Sequence, residues 1–116
     1  SNQSVIYRQT PEFSIEITDT RTDGEDWYLY AHILSPLTSG ENKLENTLIF
    51  KENDTTYVLS ETPVLVYSGK RDGNNKTTTI SWNELEGFLL NIDIQKTYEP
   101  GNYQTSILWR ISPTLL

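Results

Sequence analysis

The sequence has 116 residues, enough for one domain, which we expect to comprise residues 1–116. Cysteine is absent, which excludes disulfides, thiolate-based zinc sites and a cysteine nucleophile. Nine basic and sixteen acidic residues give a net charge of −7, which opposes binding to the phosphate backbone of a nucleic acid. No apolar run approaches the ~18 residues of a membrane-spanning helix, so we expect no membrane span in this piece.

The composition favours strands over helices. Thr, Ile, Leu, Tyr and Val are plentiful, whereas alanine occurs only at Ala31. The chain does not begin with methionine, so we interpret it as an excised or processed piece of a longer protein.

The first predicted strand covers residues 12–19. Its apolar side chains recur at every second position and therefore share one face: Phe13, Ile15 and Ile17. Asp23-Gly24 follows, a pair that tolerates positive φ and is typical of the turns that close hairpins. The next predicted strand covers residues 27–34, and its apolar side chains again share one face: Trp27, Leu29, Ala31 and Ile33.

The middle of the chain predicts five shorter strands, at residues 47–51, 55–60, 64–68, 77–82 and 88–94. Residues 69–76 are the most polar stretch, which predicts an exposed hairpin loop between the third and fourth of these strands. Residues 83–87 predict one helical turn.

The last strand, residues 103–111, has the clearest alternation. Every second side chain shares one face with Trp109: Tyr103, Thr105, Ile107 and Ile111. Pro113 follows and removes the amide that a continuing ladder would need. About eight short strands with turns between them indicate an all-β, antiparallel sandwich or barrel-like fold.

The tryptophans could serve either the core or a binding surface. Trp27 and Trp109 each lie in an apolar stripe, so we expect them to share one core, although exposed indoles could instead stack on sugar rings. Trp82 has polar neighbours and is the better candidate for partial exposure. Lys70 and Arg71, with Lys76, form a small basic patch on the predicted loop, which could contact an anionic glycan.

Acidic residues cluster around the first turn: Asp19, Asp23, Glu25 and Asp26. Their order does not match the alternating oxygen ligands of an EF-hand loop, so we interpret the cluster as a solvated turn rather than a metal site. Asp19 and Arg21 are expected to pair across the strand end. His32 is the only histidine and is interpreted as structural, because no Ser-His-Asp order or metal-ligand spacing accompanies it. We therefore expect no catalytic residue, no metal, no cofactor and no enzymatic activity.

Several short motifs in a fixed order resemble the WxL domain of Gram-positive bacterial cell-surface proteins. Asp19-Thr20-Arg21 and a Gly-containing turn precede Trp27-Tyr28-Leu29. Tyr103 then precedes Trp109-Arg110-Ile111 by six residues near the end of the sequence, with Ile111 where the family has leucine. The resemblance covers residues 13–111, and it implies that an N-terminal edge strand is incomplete here, since only residues 5–8 could supply it.

The resemblance implies an extracellular, cell-wall-associated and non-catalytic domain, which attaches a secreted protein to peptidoglycan without a covalent link. It also implies partners among other surface proteins that bind WxL domains. The motif residues implied to matter for wall binding are Asp19, Arg21, Trp27, Leu29, Tyr103, Trp109 and Ile111. Because the net charge of −7 opposes approach to an anionic wall, binding has to come from local contacts.

Two other functions fit the same fold class. One is a β-sandwich adhesin or pilin-type domain that binds a protein, for which strand addition at an exposed edge is a known mode. The other is a carbohydrate-binding module. The fold by itself does not distinguish among these three functions.

Overall fold

The computed structural model describes residues 3–7 and 12–116 and consists of eleven strands without a helix in that part of the chain. The strands are β1 (Gln3–Ile6), β2 (Glu12–Thr18), β3 (Asp26–Ile33), β4 (Leu37–Ser39), β5 (Asn42–Leu44), β6 (Leu48–Glu52), β7 (Thr55–Val58), β8 (Val64–Lys70), β9 (Thr77–Asn83), β10 (Gly87–Asp93) and β11 (Ile107–Ser112). The all-β prediction is confirmed. Accordingly, no helix among the described residues could cross a bilayer.

The strands form one four-stranded sheet, one three-stranded sheet and two pairs. Their orders are β1-β10-β6-β7, β11-β3-β8, β2-β9 and β4-β5, and every pairing is antiparallel. β3 is the centre of the three-stranded sheet, where Ala31 lies opposite Trp109 of β11. The first predicted motif strand and the last one are therefore direct neighbours.

A single hydrophobic core joins residues from these sheets. The predicted apolar face of β3 is buried in full: Trp27, Leu29, Ala31 and Ile33. Trp109 is half-buried and packs against the same core, so the prediction that both motif tryptophans share one core is confirmed. Trp27 stacks on Tyr67 with ring centroids 5.9 Å apart, whereas Trp109 belongs to a group of five rings completed by Phe13, Phe50, Trp82 and Phe88.

The structure differs from the strand predictions mainly where ladders begin and end. β11 starts at Ile107 rather than at Tyr103, although the predicted alternation of exposure persists from Tyr103 through Trp109. Gln104 makes only an isolated bridge to Thr38. Two short strands, β4 and β5, were not predicted, since three residues are too few to show a period. β1 includes Val5 and Ile6 of the segment expected to supply an N-terminal edge strand, and it lies at the edge of the four-stranded sheet. Arg8, part of the predicted N-terminal segment, lies outside the described residues.

Two predicted hairpins are instead corners between sheets. Gly24 adopts φ +90°, which confirms a turn there, but β2 pairs with β9 while β3 pairs with β8 and β11. Residues 71–76 likewise carry the chain from β8 to β9, which lie in different sheets. The single turn predicted at residues 83–87 is present, but as the tight connection between β9 and β10 rather than as a helix, and a hydrogen bond from Glu86 N to Asn83 O closes it.

Trp82 is fully buried, so the prediction of its partial exposure is wrong. Its side chain is 1% exposed and stacks near Trp109, with centroids 6.1 Å apart and planes at 12°. Its indole nitrogen donates a hydrogen bond to Glu52, thirty residues away in sequence. The polar neighbours of Trp82 occupy the opposite face of β9, where they are exposed.

Replacing Trp82 should strongly destabilise the fold. Trp82→Ala removes a buried ring and leaves the Glu52 carboxylate without its indole donor, so we expect the free energy of unfolding to fall by about 3–5 kcal/mol. Urea denaturation measures this difference. Leu85→Ala is the control, because Leu85 is 52% exposed and its loss should change stability by less than about 0.5 kcal/mol. Equal, small effects of both substitutions would contradict the buried position of Trp82.

Candidate functional site

Four of the motif residues line one surface cavity of about 200 Å³. Asp19 and Arg21 follow β2, Trp27 lies near the start of β3, and Ile111 lies near the end of β11. The lining is completed by Ile17, Thr18 and Pro113. Because these side chains come from three separate segments, the cavity exists only in the folded domain. We call it the motif cavity.

A two-pronged ion pair fixes one wall of the motif cavity. Arg21 donates from Nε to Asp19 Oδ1 at 2.9 Å and from Nη2 to Asp19 Oδ2 at 2.8 Å. The Arg21 main-chain amide also donates to Asp19 Oδ1 at 3.0 Å, and Nη2 reaches the carbonyl of Asp26 at 2.6 Å. The Arg21 side chain therefore bridges the end of β2 to the start of β3. The predicted pairing of Asp19 with Arg21 is confirmed, and its fork geometry is one that lysine could not reproduce.

The pair shifts the ionisation of Asp19. Hydrogen bonds from the Arg21 side chain, and then from its main-chain amide, lower the pKa of Asp19 from 3.8 to about 2. At neutral pH the motif cavity thus carries a fixed carboxylate beside a fixed guanidinium. The Asp19 side chain is 10% exposed and that of Arg21 is 35% exposed, so the arginine is the more accessible of the two charges.

Trp27 is among the residues that line the motif cavity, but it offers no free ring face. It is 2% exposed, and on its other side it packs directly against the main chain of Gly69, where any β-carbon would overlap the indole. Trp109, half-buried in the five-ring group, does not line this cavity. The interpretation of both residues as core residues is confirmed, and the hypothesis of an exposed sugar-stacking platform is not supported at Trp27.

The remaining motif residues have structural contacts away from the motif cavity. Leu29 is 1% exposed in the core. Tyr103 donates its hydroxyl to the carbonyl of Glu99 at 2.6 Å, which closes the turn before the last strand. Ile111, in contrast, does line the motif cavity, and at 47% exposed it is the most accessible apolar residue of the motif.

The predicted basic patch is only partly present. The Lys70 side chain is 63% exposed, as predicted, with its ammonium 3.5 Å from Asp26 Oδ1. Arg71 is 8% exposed, so its predicted availability for contact is wrong. Its Nη1 donates to the carbonyls of Asp72, Gly73 and Asn75, which holds the corner between β8 and β9. A charged residue in a polar loop is buried here because the loop carbonyls supply its acceptors.

The acidic turn does not gather its carboxylates around a common point. Asp23 accepts a hydrogen bond from the Gly73 amide at 2.6 Å, while Asp19 and Asp26 contact Arg21 and Lys70. Within the described ranges, no group of three His, Asp or Glu side chains could hold a metal ion. His32 lies half-buried on β3, and its Nδ1 atom has no hydrogen-bond partner among the described residues. The motif cavity, where Arg21 lies near Ile111 and Pro113, suits recognition of a polar group beside an apolar surface.

Sequence reasoning missed three residues of the motif cavity. Pro113 was interpreted only as a strand terminator, and Ile17 and Thr18 only as part of a strand. Their shared signal is position, since each stands one or two residues from a motif residue at a strand end. No protein-family model, curated protein or solved structure matches this chain, so the resemblance to WxL domains rests on the motif residues themselves.

The lowered pKa of Asp19 predicts a specific acid dependence. Because the pKa is lower in the folded protein, the carboxylate stabilises the fold above pH 3.8, and this contribution is lost as the pH falls through about 2. The stability advantage of the wild type over Asp19→Asn should therefore shrink across this window, as measured by urea denaturation. Titration of the Asp19 carboxyl by NMR should move toward 3.8 in Arg21→Gln. An Asp19 that titrates alike with and without Arg21 would contradict the pairing.

Proposed function

We propose that this chain is a non-catalytic attachment domain that holds an exported surface protein to the cell wall by non-covalent contact with peptidoglycan. The observation that carries the proposal is the motif cavity, where motif residues distant in sequence meet at one accessible place. Residues that serve folding alone would not need to place Arg21 and Ile111 at the surface, whereas residues of a binding site would.

The chemistry of the motif cavity fits a wall fragment. Peptidoglycan combines carboxylates and amides with apolar methyl and ring carbon–hydrogen groups. The part-exposed Arg21 supplies a donor for the former, and Ile111 with Pro113 supplies an apolar surface for the latter. Because Arg21 is pre-oriented by Asp19, little side-chain entropy is lost on binding.

The same cavity favours wall attachment over a carbohydrate-binding module that depends on stacking. Such a module needs an indole face that a sugar ring can cover, and Trp27 is 2% exposed. Arg21 also provides a local cation for an anionic wall, since one guanidinium can bind an anionic group even though the net charge of the chain is −7.

A charge placed at the rim of the motif cavity should abolish attachment without unfolding the domain. Ile111→Glu puts a carboxylate on the apolar wall, and we expect at least a tenfold loss of co-sedimentation with isolated Gram-positive cell walls. Ile94→Glu is the matched control, because Ile94 is 64% exposed and does not line the cavity. Circular dichroism verifies the fold of both variants.

Equal binding by Ile111→Glu and Ile94→Glu would contradict a role for the motif cavity. If the wild-type domain itself stays in the supernatant at every salt concentration, the attachment proposal is wrong for this domain.

A further inference from the structure

A second surface feature lies on the other side of Trp27, along the outer edge of β8. β8 is an edge strand of the three-stranded sheet and β9 an edge strand of its own pair. Between them lies an open groove of about 510 Å³. Its walls are four consecutive residues of β8, Tyr67 to Lys70, and three consecutive residues of β9, Thr77 to Thr79, with Trp27 at the floor.

The lining shows that the groove follows strand edges rather than sheet faces. Successive side chains of a strand point to opposite faces, so a cavity that touches consecutive residues reaches them along the edge. A smaller groove of about 260 Å³ continues along β8 and contacts Leu65 to Ser68, with Glu52 and Tyr57 opposite. Together the two grooves are lined by six consecutive residues of β8, Leu65 to Lys70, a length of roughly 20 Å at ~3.3 Å per residue. We call the two grooves together the β8 groove.

Hydrogen bonds at the corner reveal which main-chain groups face the β8 groove. The Arg71 amide donates to Glu25 O, and the Arg71 carbonyl accepts from Gly24 N, so both main-chain groups of Arg71 point toward the β3 side. In an antiparallel ladder this direction alternates along the strand. Gly69 and Tyr67 therefore also point toward β3, whereas Lys70 and Ser68 present their N–H and C=O groups to the groove.

The facing edge of β9 follows the same alternation. The Asp19 amide donates to Lys76 O, which directs the Lys76 carbonyl toward β2 and the main-chain groups of Thr77 and Thr79 away from it. The Thr77 amide is already bonded to Asn75 Oδ1 at 3.2 Å. Thr79, like Ser68 and Lys70, has no strand partner among the described strands on that side.

We propose that the β8 groove binds an extended segment of a partner protein, which adds to β8 as an antiparallel or parallel strand. Main-chain pairing with Ser68 and Lys70 would supply the contacts, and side chains of the segment would meet Tyr67 and the threonines of β9. This site is separate from the motif cavity, and the proposal does not depend on wall attachment.

The walls of the groove select the form and charge of the occupant. β9 stands opposite β8, so a strand that already belongs to a second folded sheet would collide with it, whereas a single extended segment has both of its edges free. The charged residues that line the larger of the two grooves are one lysine and one aspartate, Lys70 and Asp72, so we expect a segment without a net charge.

A peptide library tests the proposal with matched proline variants. A phage-displayed library of random 12-residue peptides is selected on the wild-type domain, and the enriched peptides are synthesised. Ser68→Pro removes an amide that faces the groove and leaves the ladder to β3 intact, so their affinity should fall about tenfold, the value of one or two main-chain hydrogen bonds.

Ser14→Pro is the control. Ser14 lies on the opposite, outer edge of the β2-β9 pair, and the alternation along β2 directs its amide outward as well. Affinity for this variant should equal that of the wild type, and thermal unfolding verifies both folds. Hydrogen exchange on the wild type is a second readout, in which bound peptide should slow the amides of Ser68 and Lys70.

Each result decides the proposal. Loss of binding in Ser68→Pro alone, with slowed exchange at Ser68 and Lys70, supports it. Failure to enrich any peptide, equal binding by the two proline variants, or slowed exchange elsewhere would overturn it. Concentration-dependent dimerisation that protects the same amides without peptide would also overturn it, in favour of strand exchange between copies.

Discussion

The packing of Trp27 against the main chain of Gly69 is the constraint on which the surface features of this domain depend. Trp27 lies directly across from Gly69 in the β3–β8 pair, and its indole is so close that position 69 has no room for a β-carbon. Trp27 lines both the motif cavity and the β8 groove. Trp27 therefore borders both proposed binding surfaces although it is only 2% exposed.

A second constraint on the fold is the five-ring group around Trp109, which packs in and against the hydrophobic core. Phe50 and Phe88 meet edge to face with centroids 4.9 Å apart, while Trp82 and Trp109 stack at 6.1 Å. The five rings come from β2, β6, β9, β10 and β11, so one aromatic cluster ties three separate sheets together. Aromatic pairs of this kind contribute about 0.5–1.5 kcal/mol each beyond their buried area. Short strands without a helix to cover them gain much of their stability in this way.

The alternation of apolar residues was enough to predict most of the strands and the buried face of β3. It could not predict which strands pair, because period two shows which side chains share a face and not which edge lies beside which. Asp23-Gly24 illustrates this limit, since its turn geometry is as expected while the flanking strands enter different sheets. Trp82 and Arg71 were misjudged for a related reason, because their partners, Glu52 and the loop carbonyls, are set by tertiary structure.

The motif cavity likewise could be predicted only in part from the sequence. Sequence order indicated Asp19, Arg21, Trp27 and Ile111 as one set and predicted the Asp19–Arg21 pair, but Leu29, Tyr103 and Trp109 belong to the same set and lie elsewhere. Only the folded structure shows which motif residues line the cavity and which contribute instead to the core or to a turn. The accessible motif residues, Arg21 and Ile111, lie in the turn after β2 and near the end of β11, where side chains can be exposed without loss of core packing.

The most direct test of this account is an NMR titration of the labelled domain with soluble peptidoglycan fragments. We expect shifts centred on the Arg21 guanidinium and the Ile111 methyl groups, with smaller shifts at the Trp27 indole and none at Trp82. An absence of shifts at saturating fragment, or shifts centred away from the motif cavity, would contradict the claim that the motif residues assemble a wall-binding site.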